Sequence, residues 1–262
     1  MAEGENKFAS YPSLADRIVV LTGGAQGIGA SMVEQFSLQG AQVIFLDVED
    51  HPANEVVSKV AALGVKHKPI YHHCDVVQVD SELKPTAEKI LAEYPKIDVL
   101  INNAAKGMVK PTGEITTEWW DESLNVNLRH QFFLTQALTP GLVAAGGHAS
   151  VVNMGSISWA LPATGIVPYT TSKAAVMGLT RTLAHELGPR GVRVNSIMPG
   201  SIATERELKH VMTPEYEQKV LGGQALKRLI KPVEVARLAM WLASDDSAMI
   251  TNQSIRIDAG WT

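Results

Sequence analysis

The sequence has a single cysteine, Cys74, so it cannot form an intramolecular disulfide. It also lacks any apolar run approaching the roughly 18 residues that a membrane-spanning helix needs. Its first residues show neither the apolar stretch of a signal peptide nor an arginine-rich, acid-poor transit pattern. These absences predict a cytoplasmic protein with no membrane partner.

Basic residues are too few and too scattered to form a nucleic-acid surface. The formal net charge is −4, and we therefore predict no nucleic-acid partner. Internal repeats, low-complexity tracts and interdomain linkers are absent as well, and 262 residues with 45% hydrophobic content can bury one substantial core. We expect one domain over residues 14–262, preceded by a flexible polar leader at residues 1–13.

Short apolar runs alternate with amphipathic segments along the whole chain. Strands are predicted at residues 17–22, 41–46, 69–73, 97–101, 149–153, 192–197 and 254–257, and helices at 28–39, 52–63, 79–94, 118–145, 169–187 and 232–243. Pro140 is the expected place for a bend in the long helix. This alternation is typical of a Rossmann-type, doubly wound parallel sheet with helices on both faces. Residues 201–231 break the rhythm, and we expect a helical lid there.

A glycine-rich turn follows the first predicted strand. Gly23, Gly27 and Gly29 are spaced as Gly-x-x-x-Gly-x-Gly, which marks either a tight turn or a loop whose N–H groups can approach a pyrophosphate. Asp47 ends the second predicted strand, where a carboxylate can accept hydrogen bonds from both ribose hydroxyls of adenosine and repel a 2′-phosphate. No Arg or Lys stands nearby to neutralise such a phosphate, so we predict NAD rather than NADP.

The run His72-His73-Cys74-Asp75 contains four metal-ligand residue types, but it follows a strand pattern. Adjacent strand residues point to opposite faces, so these side chains do not converge on one ion and we predict no metal site. Asp75 lies at the carboxyl end of that strand beside the expected cofactor crevice. We therefore expect it to hydrogen-bond the adenine amine.

Tyr169 and Lys173 stand four residues apart in a predicted helix and so share one face. At an effective dielectric of ~20, an ammonium ~4 Å away is worth about 4 kcal/mol. This equals roughly three pKa units, enough to bring a tyrosine pKa toward ~7 and make it a general base. Taken alone, the pair also fits a packed ring beside a solvated amine.

The ordered set of motifs resembles the short-chain dehydrogenase/reductase family, single-domain type. The residues that carry the resemblance are Thr22-Gly23, Gly27, Gly29, Asp75, Asn102-Asn103-Ala104, Asn127, Ser156, Tyr169, Lys173 and Pro199-Gly200. It covers residues 14–262 and implies a seven-stranded sheet. It also implies that Tyr169 is the general base, that Lys173 binds the nicotinamide ribose and lowers the tyrosine pKa, that Ser156 binds the reacting oxygen, and that Asn127 supports a proton-relay water. Ser158 is the competing serine, but Ser156 has the family's spacing from the tyrosine.

The same resemblance implies a set of cofactor contacts. They come from Gly23, Gln26, Gly27, Ile28, Gly29, Asp47, Asp75, Val76, Asn103, Ala104, Tyr169, Lys173, Pro199, Gly200, Ile202 and Thr204. Three positions depart from the family pattern, since Ala105, Asn252 and Ala259 stand where glycine is usual. None of them removes a catalytic group.

Several segments resemble bacterial NAD-dependent aldose 1-dehydrogenases of the D-xylose type more narrowly. They are residues 11–14, 125–130, 155–159, 226–227 and 257–261. The resemblance implies hydride transfer from the anomeric carbon of a monosaccharide to NAD, giving a lactone, by a homotetramer or homodimer built on residues 118–138 and 174–187. Alternatives are a dehydrogenase or reductase of a non-sugar secondary alcohol or ketone, and a non-catalytic nucleotide-binding regulator.

Candidate substrate residues follow from the chemistry of sugar sites, which combine an aromatic platform with a few placed polar groups. They are Lys106, Ser156, Trp159, Arg206 and Trp261. The alternative for the two tryptophans is packing in the core or an interface, and for Lys106 and Arg206 it is an exposed surface charge.

Overall fold

Seven parallel strands form the centre of the computed structural model, which describes residues 8–262. The strands are β1 (Ile18–Thr22), β2 (Gln42–Asp47), β3 (Ile70–His73), β4 (Val99–Asn102), β5 (Ala149–Met154), β6 (Val192–Pro199) and β7 (Ser254–Ile257). Their order across the sheet is β3-β2-β1-β4-β5-β6-β7, and every neighbouring pair is parallel. The predicted Rossmann-type sheet is confirmed, and its strand order reverses between β1 and β4.

Helices cover both faces of the sheet. They are α1 (Gly27–Leu38), α2 (Asp50–Ala61), α3 (Lys84–Glu93), α4 (Thr117–Leu124), α5 (His130–Ala144), α6 (Val167–Leu187), α7 (Glu205–His210), α8 (Pro214–Gly223) and α9 (Pro232–Ala243). Buried side chains of α1, α2 and α9 form one apolar cluster, and those of α3, α5 and α6 form the other. Val19 and Leu21 of β1 belong to the first cluster and Val20 to the second, as the alternation along a strand requires. In the described part of the chain, none of the helices combines the length and apolar character needed to cross a membrane.

The long helix predicted over residues 118–145 contains an irregularity at a different place from the one expected. Pro140 lies inside α5, whereas a π-helical segment, Asn125–Arg129, separates α4 from α5. Two buried side chains bond into the helical ladder here: Asn127 Nδ2 donates to Ser123 O at 2.9 Å, and Gln131 Nε2 donates to Asn127 O at 3.0 Å. Such insertions are a recognised cause of helix irregularity, and π segments occur often at functional sites.

The predicted leader, residues 1–13, lies partly outside the described residues. Among the described ones, Phe8 lies under the Arg237 guanidinium at 3.3 Å from the ring centroid, and Tyr11 N donates to Gln39 Oε1 at 2.7 Å. Contacts with the domain therefore begin before Leu14, which is fully buried. The segment 201–231 contains α7 and α8, which together make up about half of its residues.

Two of the three departures from the family pattern have a left-handed backbone. Asn252 has φ 59° and Ala259 has φ 57°, a region that glycine adopts freely and that costs other residues roughly 1–2 kcal/mol. Asn tolerates this conformation better than most residues. Ala259 therefore carries backbone strain, partly offset by packing of its methyl group on the core.

We expect Ala259→Gly to leave the free energy of unfolding unchanged or to raise it, because relief of the left-handed strain offsets the lost methyl packing and the extra chain entropy. Ala248→Gly is the matched control, since Ala248 has φ −53° and is exposed. It should lose about 0.5–1 kcal/mol. Urea unfolding of both variants tests this, and an equal loss in the two would contradict the strain at Ala259.

Candidate active site

The carboxyl ends of the parallel strands lie along one edge of the sheet, and β1 and β4 are tied together there. Asn103 N and Ala104 N both donate to Thr22 Oγ1 at 3.0 Å. Asn103 Nδ2 donates to Thr22 O at 3.0 Å and to Gly23 O at 2.9 Å. This clamp fixes the start of the glycine loop at the point where the strand order reverses, which is where open α/β sheets bind ligands.

The glycine loop joins β1 to α1 in a shape that excludes side chains. Gly23 has φ 71°, and a Cβ there would lie 2.9 Å from Ala104 Cα. A Cβ on Gly29 would overlap the Gly23 carbonyl oxygen. Gly27, with φ 56°, faces the Thr204 methyl group, where a Cβ would come within 3.1 Å. The loop at the N-terminus of α1 therefore fits the close backbone approach that a pyrophosphate requires.

Asp47, at the end of β2, is held by three backbone amides. Ala25 N donates to Oδ2 at 2.9 Å, and Val48 N and Glu49 N donate to Oδ1 at 2.8 and 3.1 Å. The bond to Ala25 joins the carboxylate to the glycine loop. Asp47 thus stands beside the loop in a fixed orientation, which fits the predicted ribose contact.

The other predicted cofactor residues lie along the same edge. Asp75 Oδ1 accepts from Val77 N at 3.0 Å beside the buried Val76, and the exposed Gln26 precedes the partly buried Ile28. Pro199 ends β6, and Gly200 follows it. Ile202 pairs with Ile230, and Thr204 Oγ1 caps α7 by accepting from Glu207 N at 3.1 Å.

The side chains of residues 72–75 have separate surroundings. His73 Nδ1 contacts Asp50 Oδ1 at 2.9 Å, and the Cys74 side chain is buried. Among residues 8–262, no cluster of three or more His, Cys, Asp and Glu side chains is arranged to hold an ion.

Tyr169 and Lys173 lie on one face of α6, which begins at Val167 with Pro168 in its first turn. The Lys173 Nζ atom is 5.7 Å from the centroid of the Tyr169 ring. Lys173 is 1% exposed, and its ammonium donates to Met154 O, at the end of β5, at 2.8 Å. The shared helix face is confirmed, but the ammonium is directed at a carbonyl rather than at the phenol.

The predicted lowering of the Tyr169 pKa is wrong for this arrangement. Burial of the ring raises its pKa above 10.0, and the Glu207 carboxylate and Tyr216 add to the rise, while a hydrogen bond from Ser156 opposes it. Burial also lowers the pKa of Lys173 to about 8. Desolvation disfavours the charged form of both groups, and the Lys173 ammonium is not among the groups that shift the pKa of Tyr169.

The two candidate serines, Ser156 and Ser158, have different surroundings. Ser156 caps the short 3-10 helix Ile157–Ala160, its Oγ accepting from Ser158 N at 3.1 Å, and it lies close enough to Tyr169 to lower the pKa of that phenol. The Ser158 hydroxyl is buried and makes no hydrogen bond within the described chain. Ser156 is therefore the serine whose side chain lies beside Tyr169.

Asn127 holds the loop after β4 against the helix pair. Its Oδ1 accepts from Lys106 N at 3.0 Å and its Nδ2 donates to Lys106 O at 3.1 Å, while the residue itself is fully buried. Ala105, just before this contact, is exposed and lies outside the left-handed region, so its extra methyl group does not strain the loop.

The candidate substrate residues have different surroundings. Lys106 Nζ pairs with Glu122 at 2.7 Å, and Arg206 is exposed on α7. The Trp159 indole N–H is buried without a partner among the described residues, and the Trp261 indole packs directly on Gly223 at the end of α8. Trp261 thus touches the helical segment 201–231, and Trp159 follows Ser156 in the same short helix.

Sequence reasoning missed two residues of segment 201–231. Glu207 on α7 and Tyr216 on α8 are partly buried, and both act electrostatically on Tyr169. Burial raises the pKa of both. The pattern Thr204-x-x-Glu207 is a capping-box signature and could have located the start of α7, although it does not reveal that the carboxylate approaches Tyr169.

Lys173→Met should stabilise the protein when no cofactor is added. Burial lowers the pKa of the Lys173 ammonium from 10.5 to about 8. Folding with Lys173 charged therefore costs ~3 kcal/mol more than folding with its neutral amine. The folded protein binds fewer protons than the unfolded chain between these two pH values, so wild-type stability rises there. The excess stability of Lys173→Met should therefore be largest below pH 8 and shrink up to pH 10.5. Melting curves across this range test the sign, and a gap that widens with pH would refute it.

Comparisons with known proteins identify the family of the chain. The family model described as enoyl-(acyl carrier protein) reductase, one of the short-chain dehydrogenase/reductase models, matches residues 23–262. The chain is 43% identical over 253 residues to D-xylose 1-dehydrogenase of Caulobacter vibrioides, covering 97% of this chain and 98% of that protein. It is 40% identical over 252 residues to a probable galactose dehydrogenase of Rhizobium meliloti, covering 96% and 97%. An NAD-dependent glycerol dehydrogenase of Listeria innocua is 35% identical, with 95% of each chain covered.

Solved structures show the same fold. A short-chain type dehydrogenase/reductase from Mycobacterium marinum has a TM-score of 0.88 at 28% identity, covering 96% of this chain and 98% of that one. A second, from Mycobacterium ulcerans, has a TM-score of 0.89 at 26% identity, covering 97% and 91%. The chain belongs to the short-chain dehydrogenase/reductase family, and it is an oxidoreductase acting on CH–OH groups.

Proposed function

We propose that this protein oxidises the anomeric carbon of an aldose with NAD and releases a lactone. The observation that carries the proposal is the meeting of Tyr169, Ser156 and Lys173 at the end of β5, on the same sheet edge as the glycine loop and Asp47. The similarity to xylose and galactose dehydrogenases supports a sugar as substrate.

Each residue has a proposed task in this oxidation. Ser156 orients the O1 hydroxyl of the sugar, and Tyr169 takes the O1 proton as general base. Lys173 holds the ribose next to the nicotinamide, and its positive charge stabilises the tyrosinate that takes up the proton. NAD, when bound, would supply the acceptor for the C1 hydrogen, which leaves the sugar as hydride. The carbon loses two electrons and the oxygen loses its proton, so the C1–O1 bond becomes the carbonyl of the lactone.

Asp47 supports NAD over NADP as the cofactor. Its carboxylate is fixed by Ala25, Val48 and Glu49, so it cannot turn away from a 2′-phosphate without losing three hydrogen bonds. A phosphate placed beside it would meet a like charge without a neutralising Arg or Lys in residues 48–50.

A second candidate is oxidation of a non-sugar polyol or secondary alcohol, which the similarity to a glycerol dehydrogenase favours. For both candidates we propose a cytoplasmic homotetramer or homodimer with α4, α5 and α6 at its interface. The side chain of Phe132 on α5 is 38% exposed, an apolar surface that a partner subunit would cover.

The substrate assignment predicts NADH formation from NAD with at least one member of a panel of pentoses, hexoses and 6-deoxyhexoses. Tyr169→Phe should lower kcat by about 10²-fold or more, because the base is lost. It should retain NADH binding, which fluorescence titration measures. Turnover of a non-sugar alcohol without turnover of any aldose would reject the sugar assignment, and full activity of the Phe variant would reject the mechanism.

The cofactor assignment predicts that Asp47→Asn reduces the preference for NAD over NADP by at least about tenfold, roughly 1.4 kcal/mol, because a like charge is removed while an acceptor oxygen stays. Asp50→Asn is the matched control, since the Asp50 carboxylate bonds to Tyr71 and His73 instead of the glycine loop. Its preference should stay as in the wild type. Ratios of kcat/KM for the two cofactors provide the measurement, and equal shifts in both variants would contradict a specific role for Asp47.

A further inference from the structure

A buried glutamine lies directly behind the proposed catalytic lysine. Gln131, in the first turn of α5, is fully buried, and its Nε2 donates to Asn127 O at 3.0 Å and to Met154 O at 3.4 Å. The Met154 carbonyl is the one that accepts from Lys173 Nζ at 2.8 Å. One amide therefore connects the π segment with the carbonyl that holds the ammonium.

The Met154 carbonyl depends on side chains because the strand ladder ends beside it. Ser150 N donates to Asp98 O, and continuing this parallel pattern would bring Ala104 N to Met154 O. Ala104 N instead donates to Thr22 Oγ1 at 3.0 Å. The donors that the structure gives to this carbonyl are the Lys173 ammonium and the Gln131 amide.

The orientation of the Gln131 amide is fixed by its surroundings. Nε2 faces two carbonyl oxygens, so a flipped amide would place Oε1 against two acceptors. In the observed orientation Oε1 is buried and has no hydrogen-bond partner among residues 8–262. A buried polar atom left in this state is costly to the fold, and such atoms cluster where a protein has a use for them.

We propose that Gln131 is a positioning residue for Lys173, which fixes the Met154 carbonyl and thereby the place of the ammonium relative to Tyr169. The proposal rests on the roles given to Lys173 and Tyr169 under the proposed function. Gln131 touches neither the reacting atoms nor the cofactor site. Its effect passes through Met154 and Asn127.

Other titratable groups face this pair from three helices. His130 on α5 is fully buried and stays neutral, because burial and then the charge of Lys173 lower its pKa to about 3. Glu207 on α7 and Tyr216 on α8 act on Tyr169 from the other side. None of these three side chains makes a hydrogen bond to Gln131 in the described structure. We therefore expect a substitution of Gln131 to change the pH dependence of kcat through Lys173.

The test replaces Gln131 with Met, which is similar in length but has no amide. We expect NADH to bind at least about threefold more weakly and kcat to fall about tenfold or more, because the Met154 carbonyl that accepts from the ammonium is no longer fixed by the amide. We also expect the kcat limb that reports the base to move to higher pH by about half a unit or more, because a displaced ammonium stabilises the tyrosinate less. Gln131→Glu, with nearly the same volume, should shift the limb in the same direction, since a carboxylate would neutralise Lys173.

Thr135→Val is the matched control. Thr135 lies one turn further along α5, is fully buried, and bonds to Gln131 O at 2.6 Å and to Asn102 Nδ2 at 3.1 Å. Its loss should lower the melting temperature without moving NADH affinity or the pH limb. If the Gln131 variants likewise change only the melting temperature, the positioning role is overturned.

The NADH titration separates this proposal from the sugar assignment. NADH affinity depends on the position of Lys173 and is measured without any substrate. The result is therefore valid even if the protein oxidises no aldose. Weaker NADH binding by both Gln131 variants, with Thr135→Val unchanged, supports the positioning role. Wild-type affinity in both Gln131 variants rejects it.

Discussion

The hydrogen bond from the Lys173 ammonium to the Met154 carbonyl is the contact on which the rest of the site depends. It places a charged group at the end of β5, inside the domain, where desolvation lowers the pKa of the lysine to about 8. Around it, α6 supplies the lysine and Tyr169, the strand end supplies the acceptor, and α5 supplies Gln131 behind that acceptor. A small displacement of either helix would leave a buried charge without its partner.

Strand β4 is tied both to the glycine loop and to the strand end that contacts Lys173. Asn103 fastens the glycine loop to the strand end through Thr22 and Gly23. Asn102, its neighbour, points to the other side and donates to Asn153 Oδ1 at 2.9 Å, one residue before Met154. Two adjacent asparagines of opposite orientation thus tie both halves to one strand, because side chains alternate across a strand.

Features with a local signature were predictable from the sequence. Apolar runs and glycine turns located the strands and the crevice, and the ordered motifs identified the family. The π segment at Asn125–Arg129 was not predictable, because it depends on how Asn127 and Gln131 bond once helix and sheet have packed. The direction of the Tyr169 pKa was missed for a related reason. The spacing to Lys173 gives the nearest charge, but burial and the distant Glu207 belong to the tertiary structure.

The opposite pKa shifts of Tyr169 and Lys173 define what the site needs from its ligands. Burial raises the tyrosine pKa and lowers that of the lysine, so the lysine loses its proton more readily than the phenol does. A tyrosinate at neutral pH then requires further positive charge or hydrogen bonds beyond those of Ser156. On the proposed function, both come from the crevice between the glycine loop and α6. On that function, tyrosinate is populated at neutral pH only when the crevice is filled, which would restrict proton removal to the complex in which a hydride acceptor stands beside the substrate.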